Sequence, residues 1–357
     1  MIPTPNPLKL ILIGGKPPPA GGVMSHVDDL MTRMENDPNS PDHVSLIDCY
    51  GQRDPVDSDP DVHYLHGEKG ACFRLLLGFS GIIHMHLSTG RRIVPFMLAF
   101  KLMAPRARLM ATFHHGDLDA SWANQPFLLR QMTRFALAIP KKIICVSEKQ
   151  AQVIKKYRTP SAIAVIKSYI SRSIAGSSAV SPAASVLPEG ARKHQWLVSS
   201  SGFAVRFYGF DQIIETVSAL RKQGHDIGFC VVLYGIPDVE YLAELQQKVE
   251  KLDWVWIVPE LSRQGFRSFL GETDLYLRAT RKDSFGLAVC EALEAGTPVV
   301  ASDVCERAEG AVIYPVDDQQ EFSDKILQVL QKDSPASASD LRFDNYPQLM
   351  EVYREFT

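Results

Sequence analysis

Short apolar, β-branched runs recur along the whole chain with helix-length stretches between them, the pattern of parallel strands joined by crossover helices. In the first half, Leu8–Ile13, Val44–Asp48, Ile82–Leu87, Arg108–Phe113 and Lys142–Val146 read as strands, and Val23, Val27, Leu30, Met31 and Met34 share one face of a helix after the first. In the second half, Trp196–Ser200, Gly228–Tyr234, Trp254–Val258, Leu275–Arg278 and Pro298–Ala301 read as strands. Helices are expected between and after them near Asp211–Arg221, Val239–Lys251, Arg263–Leu270, Leu287–Glu294 and Gln319–Leu330. Residues 171–193 are rich in Ser, Ala, Pro and Gly without apolar periodicity, as in a linker. A length of 357 residues suits two domains. The expectation is therefore an α/β protein with one Rossmann-like domain at 1–170, a linker at 171–193, a second domain at 194–340, and a helix within 341–357 that crosses back to the first. Two such domains would face a central cleft at the carboxyl ends of their strands, where ligands bind to open parallel sheets.

Composition narrows the class further. With 45% hydrophobic and 22% charged residues the chain matches ordinary globular proteins, which excludes general disorder, collagen and coiled coil. No apolar run approaches the roughly 20 residues of a membrane-spanning helix, and prolines and glycines break up the first residues, unlike a signal peptide. A cytoplasmic location is expected. The six cysteines are scattered, with no CxxC pair or Cys/His cluster at metal-ligand spacing, so reduced and mostly buried thiols are expected. Residues 1–185 hold 21 Lys and Arg against 14 Asp and Glu, and the remainder 17 against 27. Between Lys69 and Arg172 there are 17 basic residues and 3 acids, so this stretch should meet something anionic.

The densest chemical signal is the stretch from Leu275 to Ser302, in which a strand leads to a loop, a helix from about Gly286 to Gly296, and another strand. Backbone N–H groups and the dipole at that helix start can hold a phosphate, and Gly286 permits close approach. Glu291 lies among Val289, Cys290, Ala292 and Leu293, where an unpaired carboxylate is costly and sugar hydroxyls would satisfy it. An ordinary strand–helix–strand unit with Glu291 in water accounts for the same residues, so both readings stay open at this level.

The spacing Asp283-x7-Glu291, with Ser284-Phe285-Gly286-Leu287 inside it and Glu-Ala-Leu-Glu-Ala-Gly-Thr-Pro-Val-Val-Ala-Ser following, resembles the E-x7-E signature of glycosyltransferase family 4, whose members are retaining enzymes of GT-B fold acting in bacterial surface-glycan assembly. The resemblance implies that Asp283 and the backbone of Phe285 to Leu287 hold the donor sugar and its diphosphate, and that Glu291 binds ribose. Gly21 and Gly22 resemble the family's glycine-rich first loop, Thr112-Phe-His114-His115-Gly116 its T-x-H-G element, and Val146-Ser147-Glu148 a structural step. His114 would then bond the transferred sugar or the acceptor hydroxyl, while His115 points elsewhere because strand side chains alternate. Asp283 and Glu291 should both face the ligand, so that the fold survives removal of either.

The likeness breaks where the family has G-R-L-x-x-x-K-G, since Phe203 and Tyr208 occupy the Arg and Lys slots. A departing diphosphate needs charge stabilisation, for which Arg206, Arg278, Arg281 and Lys282 are the candidates. No DxD metal motif stands in a donor-site context. The resemblance thus implies a hexosyl- or N-acetylhexosaminyltransferase that uses a UDP- or GDP-linked sugar, a glycan or lipid-linked acceptor, and neither metal nor cofactor. The alternative is an inactive GT-B protein that binds a sugar nucleotide or partners a membrane-bound assembly enzyme. A dinucleotide-binding oxidoreductase is disfavoured because Gly14-Gly15-Lys-Pro-Pro-Pro lacks G-x-G-x-x-G, although Asp48 ends the second strand. Nucleic acid is disfavoured by the net charge of −3 and the lack of an aromatic-basic platform. The basic stretch, with its apolar segments Phe73-Arg-Leu-Leu-Leu and Ile93-Val-Pro-Phe-Met-Leu, instead suits peripheral binding to an anionic membrane on its cytoplasmic face.

Overall fold

A computed structural model describes residues 8–17, 21–51, 59–87, 93–114, 122, 125–159, 162–168, 186–332 and 344–356. Contacts divide the chain into two compact units, residues 1–175 with 343–357, and residues 176–342.

In the first unit the elements run β1 (Lys9–Gly14), α1 (Gly22–Glu35), β2 (His43–Asp48), β3 (Val62–Tyr64), α2 (Lys69–Leu76), β4 (Ile82–Leu87), α3 (Ile93–Met103), β5 (Arg108–Phe113), α4 (Phe127–Ala138), β6 (Lys142–Cys145), α5 (Glu148–Lys155) and β7 (Ile163–Val165). The strands form one parallel sheet in the order β3-β2-β1-β4-β5-β6-β7. Both faces are covered, and alternation assigns the residues: Ile11, Ile13, Ile83 and Met85 enter one core, Leu10, Leu12, Ile82 and Met110 the other.

The second unit runs β8 (Trp196–Gly202), α6 (Phe210–Lys222), β9 (Ile227–Leu233), α7 (Val239–Val249), β10 (Val255–Val258), α8 (Arg263–Gly271), β11 (Leu275–Arg278), α9 (Leu287–Glu294), β12 (Val299–Ser302), β13 (Val312–Tyr314) and α10 (Gln319–Leu330). Its parallel order is β10-β9-β8-β11-β12-β13, so each sheet reverses strand order beside its first strand, between β1 and β4 and between β8 and β11. Such a reversal opens a crevice at the carboxyl ends of the strands. The expected α/β class with two Rossmann-like units is therefore present.

Helix α11 (Tyr346–Arg354) returns to the first unit, where Tyr346, Leu349, Met350, Val352 and Tyr353 join the core of Leu10, Leu12, Val27 and Leu30. Lys142 pairs with Glu355 at 2.7 Å and Arg33 with Asp344 at 3.0 Å.

Several local outcomes follow from polar groups. Strand β8 runs two residues past its expected end because the buried hydroxyls of Ser199 and Ser201 reach Thr273 and Tyr276, each at 2.8 Å. Ser147 caps α5 through the Gln150 N–H, giving the Val-Ser-Glu step a structural task. Asp48 is fully buried and accepts the N–H groups of Lys16, Tyr50 and Gly51, so its carboxylate is committed to the loop after β1. The cysteines are all free, five of them buried and Cys305 half-buried. No helix among the described residues is long and apolar enough to cross a membrane. Residues 171–185 of the expected linker lie outside the described residues, and Ala191–Lys193 form a 3-10 turn with Ala191 buried.

Candidate functional site

In the second unit the strand-order reversal gathers a charged group at the end of β11. Arg278, the last residue of that strand, is almost wholly buried and donates from Nε to Asp283 Oδ2 at 3.0 Å and from Nη1 to the Ser201 carbonyl at 3.1 Å. Its guanidinium lies 4.8 Å above the Tyr208 ring. Arg307, also buried, donates from Nη1 to the same Asp283 oxygen at 2.7 Å and is held by the Ser302 carbonyl and hydroxyl at 3.0 and 3.3 Å. Burial alone would raise the Asp283 pKa, but the two guanidiniums overcome it and hold the acid at about 2. Burial opposes the charge of Arg278 as well, yet Asp283 keeps its pKa well above the usual value.

This group abuts the start of α9. Gly286 caps that helix with φ 84°, in the left-handed region, and no side chain caps it. A Cβ at Gly286 would stand 2.6 Å from Arg307 Nη1, so the glycine leaves room for the protein's own arginine. The Asp283 carboxylate accepts the Ser284 N–H at 3.0 Å, Phe285 is buried, and Leu287 opens the helix half-buried. Glu291 is half-buried on α9, whose neighbours Val289, Cys290, Ala292 and Leu293 are in the core.

The aromatic residues in the family's Arg and Lys slots form a wall beside β8. Phe203 packs edge-on against Tyr234 at 5.0 Å, and Tyr208 stacks on Phe207 and Phe210. Gly202 is required there, since a Cβ would fall 2.1 Å from the Tyr208 ring. The other candidate cations lie on the surface: Arg206 pairs with Glu244 at 2.5 Å, Arg281 with Asp317 at 2.8 Å, and Lys282 is exposed. One expectation is corrected. Asp283, expected to face the ligand, is only 10% exposed at its side chain and is locked between two arginines, so its removal is expected to leave buried charge unpaired. Arg307 carries no signal in sequence, because Cys-Glu-Arg-Ala-Glu reads as a charged surface loop.

In the first unit His114 follows β5 and is half-buried, as expected for a strand end, but it is one of four neighbouring histidines with His26, His84 and His86. His84 is fully bonded, to the Tyr353 hydroxyl at 2.5 Å and Thr112 Oγ1 at 2.7 Å. Burial lowers the pKa of His26 to about 4, against a small opposing effect of its bond to the Ser168 carbonyl, and lowers His84 to about 3. His86 and His114 are held well below the usual value by burial and by their histidine neighbours. The signal available in sequence was His84 and His86 at alternate positions of a buried strand. Gly21 precedes α1 in extended backbone and is buried, and Gly22 begins the helix at the surface. His115 and Gly116 lie outside the described residues.

Comparison with known proteins agrees with this architecture. Residues 195–332 match the family model described as glycosyl transferases group 1. Among solved structures, Anabaena HepE in complex with UDP and glucose is similar with a TM-score of 0.67 at 13% identity, covering 97% of this chain and 95% of that one. Sucrose-phosphate synthase from Thermosynechococcus elongatus gives 0.68 at 16% identity, with 98% of each chain covered. A glycosyltransferase from Rickettsia africae gives 0.62 at 14%, with 98% and 93% covered. No match was found among curated proteins. The fold is that of the GT-B glycosyltransferases, and the family match on the second unit supports a glycosyltransferase of this class.

Proposed function

We propose that this protein is a retaining glycosyltransferase that moves a hexosyl or N-acetylhexosaminyl group from a UDP- or GDP-linked sugar to a glycan or lipid-linked acceptor, in lipopolysaccharide, capsule or glycolipid assembly. The observation that carries the reading is the trio Arg278, Asp283 and Arg307 at the strand reversal, in which two guanidiniums share one carboxylate oxygen beside a glycine-capped helix start. The trio bears one more positive than negative charge, suited to a diphosphate. HepE, solved with UDP and glucose, supports a UDP-linked donor.

In this mechanism the sugar–phosphate oxygen bond breaks, the acceptor oxygen bonds to the anomeric carbon from the same face, and a donor phosphate oxygen receives the acceptor proton. Arg278 opposes the charge that develops on the diphosphate, and Arg307, through Asp283, fixes its position. Glu291 accepts the ribose hydroxyls, and the α9 start receives the phosphate. His114, neutral at physiological pH, bonds the sugar or acceptor hydroxyl. With the Asp283 oxygen already shared by two arginines, no donor-site metal is assigned.

Calorimetry with UDP- and GDP-sugars, paired with release of nucleoside diphosphate in the presence of glycolipid acceptors, tests the proposal. Absence of binding to every nucleotide sugar overturns it. Binding without turnover selects the second reading, a non-catalytic sugar-nucleotide protein, which Phe203 and Tyr208 in the cation slots favour.

A membrane role on the cytoplasmic side is part of the proposal. Helix α4 exposes Phe127, Leu128, Met132 and Phe135, and Phe73 and Leu77 near α2 and Leu102 on α3 are exposed as well. Arg74, Lys101, Arg106 and Arg134 are exposed on the same segments. Exposed large apolar side chains mixed with cations suit an anionic lipid surface.

A further inference from the structure

Among the described residues, the three histidines other than His84 are tied to Ser168 and to one another. His26 Nδ1 meets the Ser168 carbonyl, which only accepts, so that nitrogen carries the proton and Nε2 keeps a lone pair. His114 Nδ1 lies 3.2 Å from Ser168 Oγ, and its Nε2 lies 3.1 Å from His86 Nδ1. His86 Nε2 is buried and has no hydrogen-bond partner among the described residues. An orphaned imidazole nitrogen in the interior is costly and marks this ring as one whose surroundings do not fully satisfy it.

One ring nitrogen from each of His26, His86 and His114 lies within 4.8 Å of the others. A tetrahedral zinc with Zn–N bonds of about 2.0–2.1 Å requires nitrogens about 3.4 Å apart. The His86–His114 pair is at 3.1 Å, and the pairs with His26 lie within 4.8 Å. Ser168, bonded to the far nitrogen of both His26 and His114, supplies the outer contact that fixes ligand tautomer and ring orientation.

We propose that His26, His86 and His114 form a site for one divalent first-row transition metal, with Zn2+ the best suited. A donor set of three neutral nitrogens without oxygen excludes Mg2+ and Ca2+ as ligands of choice. Three protein ligands leave a fourth position for water or a hydroxyl. His84 is outside the set, since Tyr353 and Thr112 use both of its nitrogens. The site lies within the first unit, shares only His114 with the transferase reading, and goes beyond that reading.

The test uses the full chain without a histidine tag, stripped by chelator, reloaded with Zn2+ or Co2+, desalted and analysed for metal. About one equivalent per chain is expected to remain, with the visible bands of four- or five-coordinate Co2+. Mg2+ in excess should not displace it. His26→Gln and His86→Gln should abolish retention, whereas His66→Gln, at an exposed histidine, and Tyr353→Phe should preserve it. Failure of the unaltered protein to retain either metal overturns the proposal without recourse to variants. So does retention that survives His86→Gln in a folded protein. Metal retention in a protein that binds no nucleotide sugar would sink the transferase reading alone.

Discussion

Arg307 Nη1 stands 2.7 Å from Asp283 Oδ2, the same oxygen that Arg278 Nε reaches at 3.0 Å. One carboxylate oxygen therefore fastens together a strand end and the loop after β12. The buried charge at the end of β11 and the framework around it depend on a single acid.

Asp283→Asn should destabilise the second unit by about 3–5 kcal/mol, because it strands two buried guanidiniums. Urea denaturation followed by tryptophan fluorescence measures this. A midpoint equal to that of the unaltered protein would show the acid to be dispensable for folding.

The same acid sets a pH window. Its folded pKa of about 2 lies below the ordinary value near 4, so its stabilising contribution is complete above about pH 4 and is lost as pH falls to about 2. Asp283→Asn should remove that dependence. Parallel stability curves for the two proteins across this range would contradict the assignment.

Nucleotide affinity should discriminate among the cations. Arg278→Ala should weaken UDP or GDP binding by about tenfold to a hundredfold, on the scale of a lost charge-assisted hydrogen bond of about 1.5–3 kcal/mol. Arg206→Ala, Arg281→Ala and Lys282→Ala should leave it within about twofold, since these side chains are exposed. Glu291→Ala should also lower affinity, with the fold intact because the residue is only half-buried. Calorimetric titration of each variant is decisive, and equal losses across all cations would dissolve the distinction.

Tyr353→Phe should destabilise the first unit by about 1–3 kcal/mol, since it leaves a buried His84 nitrogen without its partner. Tyr353→Ala should cost more, about 3–5 kcal/mol, by adding a cavity. Amide exchange resolved by peptide should place both effects on residues 8–168, with 196–330 unchanged.

Replacing Phe127, Leu128 and Phe135 together by Ser should abolish flotation with anionic liposomes at low salt while nucleotide binding persists. The three side chains are 74%, 71% and 63% exposed, so little packing is lost with them. Undiminished flotation would move the lipid contact elsewhere.

Regular secondary structure was legible wherever burial on both faces imposed long apolar runs. Strands Ile82–Leu87, Arg108–Phe113 and Leu275–Arg278 have the expected limits. The edge strands Val62–Tyr64, Ile163–Val165 and Val312–Tyr314 were not legible, since three residues carry no periodicity. Asp283 and Glu291 stood out through their spacing about a helix start. Arg307 did not, because its task is defined by a partner 24 residues away and not by its neighbours. The histidine group was hidden for the same reason: His26 on α1, His86 on β4 and His114 just after β5 are brought together only by the sheet order. The exposed face of α4 was missed because an apolar pattern in sequence normally signals a buried side.

Helix α11 has a consequence for synthesis. The first unit completes its sheet at Val165, yet Tyr346 leaves the ribosome about 180 residues later, an interval of roughly 10–40 s at ordinary elongation rates. Throughout that time Leu10, Leu12, Val27 and Leu30 lack the helix that seals them, while the second unit can fold behind them as a contiguous segment. The earliest-made part of the protein is thus the last to mature. A premature stop before Tyr346 would deliver an aggregation-prone amino-terminal half attached to a sound carboxyl-terminal one.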